Sequence, residues 1–383
     1  MQTSPPLRSL VSGAAVGAAA AALVVSLSGP TSSAHGSAAA APTADVVGTA
    51  GKPVKQLLRN VVEPLRQKAR RRPPVVEAAH PNDPLWGDSW SLSKVGAPTA
   101  WRLTSGAAET IVAVLDTGVD RTHADLQGAF VDGWDAVNED ADPSDDHGHG
   151  TLVAGVIAAR ANNGIGSAGA CPRCSIMSVK VIAANGSGSS ADIAEGISWA
   201  ADHGANVLNM SFVMSGRDEG VAQAIQYARS KGVLVVAAAG NAGNPEATFP
   251  ANEPGVISVT GTDASDARYD WANFGAWVTL AAPGCSKSTQ AGGGYADFCG
   301  TSSSAAFASG VAALARSADR EASVDQIAAA LSAGAVRVGD FVASGRVDAA
   351  ATTSGLTAKL SSSAAPAPAD SHPDRPGPHP DPL

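Results

Sequence analysis

The sequence predicts an α/β fold, a three-layer sandwich in which a mostly parallel central sheet carries helices on both faces. Short apolar runs alternate with helical stretches from Thr110 to Leu331, the order that βαβ units require. At 383 residues and 44% apolar content the chain can bury one large core, and 41 glycines with 4% aromatics suit an enzyme-sized fold rich in tight turns. Residues able to do acid, base or nucleophile chemistry fall where the strand runs end and helices begin, the edge at which open parallel sheets place their sites.

Each element has its own signal. The run 110–115 reads as a buried strand, and 150–160, opened by glycine, as a helix. A strand over 175–182 and a helix over 191–203 follow, then a strand over 207–210, a helix over 221–231 and an apolar strand over 233–239. Runs at 256–260 and 277–281 add two strands, and 302–316 is an Ala-rich helix. Ser323 caps a last amphipathic helix that ends at Leu331.

The flanks differ from this core. Arg8, an apolar Ala/Val stretch over 11–27 and small residues near Ala34 or Ala41 read as a secretory signal over 1–34. Residues 35–79 read as a pro-segment or linker, with a basic helical candidate over 54–68 and a cleavage point between Arg72 and His80. The catalytic domain is expected over 80–352. From Thr353 the composition turns to Ala, Ser, Pro and Asp, which predicts a disordered tail over 353–383.

Before residue 80 there are nine basic residues and three acids, leaving 17 basic against 32 acidic in the remainder. That balance argues against nucleic acid as a partner and fits a soluble, cation-binding exoenzyme. Four cysteines in an exported chain form two disulfides most simply, and the expected pairs are Cys171–Cys174 and Cys285–Cys299. A zinc site or a redox dithiol at Cys-Pro-Arg-Cys is the alternative; each lacks its usual second half here.

Three short segments carry chemistry. The apolar run 111–115 ends in Asp116, Thr117 and Gly118; Gly148-His149-Gly150-Thr151 opens a helix; Gly300-Thr301-Ser302 opens another. A serine hydroxyl is a weak nucleophile unless a neutral imidazole takes its proton and an acid holds that imidazole in one tautomer. Ser302, His149 and Asp116 supply those roles. His147, Ser303 and Ser304 are competitors on composition, set aside because the flanking Gly-Thr patterns select His149 and Ser302. Asn241, after the strand 233–239, can aim its amide at a developing oxyanion together with the Ser302 N–H. The string 164–169 matches a dinucleotide fingerprint but follows a helix and precedes a strand, the reverse of the required order.

These segments, with Val235-Val236-Ala237-Ala238-Ala239-Gly240-Asn241 and Ala282-Pro283-Gly284, occur in one chain order, Asp before His before Ser. Residues from about 82 to 348 thereby resemble the subtilisin-like serine proteases, nearest in loop lengths to the thermitase branch. The resemblance implies a secreted endopeptidase that works on protein or peptide substrates through an acyl-enzyme. It implies a monomer without nucleic-acid partners or a stable membrane span after signal removal. Substrate is expected as an extended strand between Gly186-Ser187-Gly188 and Ser211-Phe212-Val213, with Ala238-Ala239-Gly240 across the primary pocket.

Structural Ca²⁺ is implied at Asp83, Asp125, Asn163 and the carbonyls of Ala161, Ile165 and Ser167, all oxygen ligands. A second, weaker candidate comprises Asp135, Asn138, Asp140 and Asp142, with Ser144 beside them. The chain departs from the family at Phe212-Val213-Met214, where Leu-Gly-Gly is common; added bulk there narrows the pocket toward small or medium residues. It also departs at 303–307 and at Leu152. Two alternatives go with the resemblance: a narrow processing protease of the mycosin type, whose relatives carry a C-terminal membrane helix, and a catalytically silent binding protein on the same fold.

Overall fold

The computed structural model describes residues 24–25 and 81–363. The expected signal cleavage, the pro-segment and the terminal stretch 364–383 lie outside the described residues. The strands are β1 (Val24–Val25), β2 (Ile111–Asp116), β3 (Trp134–Asp135), β4 (Ser175–Lys180), β5 (Val207–Met210), β6 (Val213–Met214) and β7 (Leu234–Ala238). They continue as β8 (Ile257–Thr262), β9 (Leu280–Pro283), β10 (Cys285–Thr289), β11 (Tyr295–Cys299) and β12 (Gly345–Arg346). The helices are α1 (Trp90–Lys94), α2 (Ala97–Trp101), α3 (His149–Ala158), α4 (Ser190–Asp202), α5 (Glu219–Ser230), α6 (Thr301–Ala318), α7 (Val324–Ala333) and α8 (Ala349–Ser363).

Eight strands form the central sheet in the order β12-β9-β8-β7-β5-β2-β4-β3, and each neighbouring pair is parallel. The alternation of strand side chains explains the three layers. On β2, Val112 and Val114 join the cluster under α3, α6 and α7, whereas Ala113 and Leu115 join the cluster under α4 and α5. β7 divides the same way: Leu234, Val236 and Ala238 go to one face, Val235 and Ala237 to the other. Helix α6 is buried nearly all round, and its run of Ala, Ser and Gly makes that possible, since a Cβ on Gly310 would stand 2.7 Å from the Ala170 Cβ. Parallel strands cross over at β2, which lies between β4 and β5. Asp116 therefore ends a strand at the topological switch point.

Two features depart from the sequence reading. The strand expected at 277–281 lies three residues later, at Leu280–Pro283, and continues past Gly284 into an antiparallel ribbon of β10 and β11 that alternation alone does not signal. The predicted tail begins too early. Helix α8 runs through Thr353 to Ser363, with Thr352, Thr353 and Leu356 buried; packing against neighbouring helices overrides a composition that reads as polar and small. Both expected disulfides are present, Cys171–Cys174 and, across the base of the ribbon, Cys285–Cys299. The latter closes a loop of 14 residues, a length for which chain-entropy reasoning gives about 3 kcal/mol of stabilisation. Among the described residues no helix is long and apolar enough to cross a membrane.

Candidate active site

The carboxyl end of β2 and the start of α3 meet in one buried charged contact. His149 Nδ1 lies 2.7 Å from Asp116 Oδ1, with Asp116 fully buried and His149 5% exposed. Thr117 N–H also donates to Asp116 Oδ1, at 2.8 Å. Gly150 allows this close approach, because a Cβ there would stand 2.0 Å from the Gly118 carbonyl. Burial works against a charged imidazole, but the Asp116 charge and hydrogen bond, joined by the charge of Asp145, outweigh it and raise the His149 pKa above its ordinary value. His149 Nε2 is buried and has no hydrogen-bond partner among the described residues. His147, the competing imidazole, is exposed.

Sequence reading missed Asp145. Its Oδ1 accepts from the N–H groups of His147 and Gly148 and from the Thr117 hydroxyl, and its Oδ2 accepts from Thr151 N–H and hydroxyl. Gly148, at the cap of α3, has no side chain to offer, so Asp145 satisfies the first turn from outside. The spacing does hold a signal: an acid four residues before the histidine of a glycine-opened helix. Lys180 was missed too. It is buried at the end of β4, and its ammonium donates to the carbonyls of Thr117 and Ile182 and to Asp146. It thereby ties the Asp116 turn to the neighbouring strand.

The opposite wall comes from β7 and α6. Ser302 stands at the second position of α6, and its N–H finds no acceptor among the described residues. Its hydroxyl donates to the Ser211 carbonyl at 3.1 Å, not to His149. Ser303 and Ser304 are fully buried, the first paired with the Ser286 hydroxyl and the second donating to the carbonyls of Ala282 and Pro283. Phe307, whose position departs from the family, packs into the core at 2% exposure.

Asn241 Oδ1 accepts from both the N–H and the hydroxyl of Thr301, each at 2.9 Å. The oxygen is thereby assigned by its two donors, and Nδ2 is left as an uncommitted donor beside Gly300. Thr301, also missed from sequence, accepts in turn from Gly240 N–H at 3.0 Å.

Of the expected substrate residues, Ser211 is buried against Ser302, its hydroxyl lying 3.4 Å from the Ser302 carbonyl. Phe212 and Met214 turn into the core and only Val213 remains partly exposed, as strand alternation dictates. Gly186 takes φ +77° in a turn closed by hydrogen bonds between Ala183 and Ser187 and between Gly186 and Ala183; a Cβ on Gly188 would stand 2.4 Å from the Val181 carbonyl. Ala238, Ala239 and Gly240 are buried at the end of β7.

The first cation candidate gathers two buried carboxylates. Asp83 accepts from Asn162 and Asn163 N–H; Asp125 accepts from Asn163 Nδ2, Ser167 N–H and the Tyr295 hydroxyl. Burial raises the Asp125 pKa; the three hydrogen bonds oppose it, and the Asp83 charge raises it further. Neither acid makes an ion pair among the described residues, and the Ser167 hydroxyl is buried without a partner. Two like charges and an orphaned hydroxyl oxygen fit a hard divalent cation.

The second candidate is arranged differently. Asp135 accepts from Val137 and Asn138 N–H and from Asn138 Nδ2, Asp140 from Asp142 N–H, and Asp142 from the Ser144 hydroxyl. Each acid there holds its own turn. Among the described residues no three His, Cys, Asp or Glu side chains cluster to hold a metal.

Comparison with known proteins identifies a family. Residues 107–364 match the Subtilase family (Peptidase_S8). Thermitase from Thermoactinomyces vulgaris is 41% identical over 274 residues, 70% of this chain and 97% of that protein. Subtilisin Savinase from Lederbergia lenta is 38% identical over 271 residues, 69% of this chain and 98% of that protein. Among solved structures, a protease from Pseudoalteromonas arctica aligns with a TM-score of 0.66 at 31% identity, over 72% of this chain and 99% of that one.

Proposed function

We propose, for a chain that belongs to the subtilase family and is a serine endopeptidase, that Ser302 is the nucleophile, His149 the general base, Asp116 its orienting acid and Asn241 an oxyanion donor. The observation that carries this reading is the buried His149–Asp116 pair with an unpartnered Nε2. An imidazole so held has one nitrogen committed to a carboxylate and the other free to take a proton. In this reading the Ser302 hydroxyl leaves the Ser211 carbonyl for Nε2 as substrate arrives. It gives its proton to Nε2 and attacks the peptide carbonyl, Asp116 stabilises the imidazolium, and Asn241 Nδ2 and the Ser302 N–H donate hydrogen bonds to the oxyanion that forms. His149 returns the proton to the leaving amine, and water repeats the sequence on the acyl-enzyme.

Peptide substrate lies extended along β6. In support, the main chain at Val213–Met214 already pairs in parallel with the two-residue strand Val24–Val25. The enzyme is exported through its N-terminal segment and acts outside the cell, a reading supported by the basic-then-apolar start and by two disulfides. Ca²⁺ held by Asp83, Asp125, Asn163 and the carbonyls of Ala161, Ile165 and Ser167 would neutralise the two buried acids and anchor the loop to the N-terminal residues of the domain.

A fluorophosphonate probe tests the site directly. Labelling should localise to Ser302 by peptide mass spectrometry and disappear in Ser302→Ala together with proteolysis, a loss on the order of 10⁴-fold or more. Labelling at another serine, or retained activity in Ser302→Ala, contradicts the assignment. For the cation, EDTA should lower the melting temperature by several degrees and added Ca²⁺ should restore it; an unchanged melting curve removes the site.

A further inference from the structure

We propose that Val213 closes the primary specificity cleft to all but the smallest side chains, making this enzyme selective for Gly or Ala before the scissile bond. The proposal rests on the Ser302 reading and names the substrate class of that same site. Across the cleft, a Cβ built on Gly240 would stand 3.4 Å from Val213 Cγ1. Adding one bond of about 1.5 Å, the Gly240 Cα and the Val213 methyl are no more than about 5 Å apart. Carbon atoms in contact sit about 3.5–4 Å apart, so a flat ring held between two walls needs them about 7–8 Å apart. A phenyl ring does not fit between these two. A hydrogen atom or a methyl group, placed at the mouth and not between the walls, needs no such gap.

Neither wall can retreat. Gly240 is held by its N–H to Thr301 Oγ1 at 3.0 Å and by its carbonyl, which accepts from Asn273 N–H at 3.0 Å. The adjoining Ala239 carbonyl accepts from Asn273 Nδ2 at 3.0 Å and from the Thr248 hydroxyl at 2.8 Å. On the other side, Met214 N–H donates to the Phe249 carbonyl at 2.8 Å, and the side chains of Phe212 and Met214 are anchored in the core. Two of the three staggered χ1 rotamers of Val213 place a methyl on that side, and β-branched residues are stiff at that bond. A single side chain on a fixed backbone thus sets the width.

The test uses purified enzyme and a peptide series that differs only in the residue before the cleaved bond: Gly, Ala, Val, Leu, Phe. Rates are divided by the concentration of sites titrated with fluorophosphonate, so a poorly folded variant does not distort them. The wild type should favour Ala over Phe in kcat/KM by about tenfold or more, and Val213→Gly should raise the Phe-to-Ala ratio by about tenfold or more, with Val213→Ala between them. Equal cleavage after Phe and Ala by the wild type overturns the proposal, as does an unchanged ratio in both variants. If the Ala peptide is cleaved and Ser302→Ala abolishes that cleavage, such a result condemns the cleft proposal alone. No cleavage of any peptide overturns the Ser302 reading, and this proposal with it.

Discussion

The two walls of the active site are built on different principles. On the β2/α3 side, buried Asp116 and His149 and half-buried Asp145 form a charge-assisted set: 2.7 Å from His149 to Asp116, with Asp145 closing the first turn of the helix, and Asp116 Oδ2 and His149 Nε2 left without a partner among the described residues. On the β7/α6 side the groups are neutral, and the reactive ones are uncommitted. Asn241 Nδ2 and Ser302 N–H have no acceptor among the described residues, and the Ser302 hydroxyl rests on a carbonyl it can leave. A base must be held in one tautomer before substrate comes. A nucleophile and its oxyanion donors must remain free to meet it.

The comparison can be broken in three places. Asn241→Ala removes a donor that acts only as charge develops, so kcat should fall by about 10²–10³ while KM moves little; an equal loss in binding would place Asn241 in ground-state recognition instead. Thr301→Val keeps the shape but removes one of the two donors that hold the Asn241 amide, together with the acceptor of the Gly240 N–H. A kcat loss of about tenfold at constant KM is expected, with Thr301→Ser restoring most of it. Rates unchanged in Thr301→Val would mean that the amide is positioned by other contacts.

The smallest effect sharpens the charged side. Asp145→Asn removes one of the charges that raise the His149 pKa, so the acid limb of the kcat/KM profile should move to lower pH. Loss of the charged cap should cost about 1 kcal/mol of stability, readable as a lower denaturant midpoint. In the intact enzyme the limb should lie above the ordinary imidazole value, because the His149 pKa is raised and the proposed base must be neutral to act. Stability runs the other way. A histidine whose folded pKa is raised contributes fully below its unfolded pKa, about 6.5, and that contribution is lost as pH rises through the folded value. Activity therefore appears over the interval in which the Asp116–His149 pair stops adding to stability.

Particular residues show what could be read from the chain and what could not. Asp116, His149, Ser302 and Asn241 could be singled out as candidates because each sits at a strand end or helix start inside a short glycine-flanked segment, where spacing encodes backbone geometry. The cysteine pairs were legible from their separations. Thr301 and Lys180 were not, because their partners lie 60 and 63 residues away, at Asn241 and the Thr117 carbonyl; Asp145 holds the nearby N–H groups of Gly148 and Thr151, and only its bond to Thr117 spans the chain. Composition placed the start of the tail at Thr353, yet Thr353 and Leu356 are buried in α8. Local polarity does not report what another helix will cover.

By itself, then, the sequence determined the α/β class, the order of the elements, the family resemblance and the residue types at each strand end, since periodicity and glycine-flanked turns are properties of neighbouring residues. Tertiary structure alone decided which acid caps the histidine helix and which of Phe212, Val213 and Met214 faces the cleft. Those choices turn on burial and on hydrogen bonds between segments distant in the chain. They come into being only when the strands register side by side.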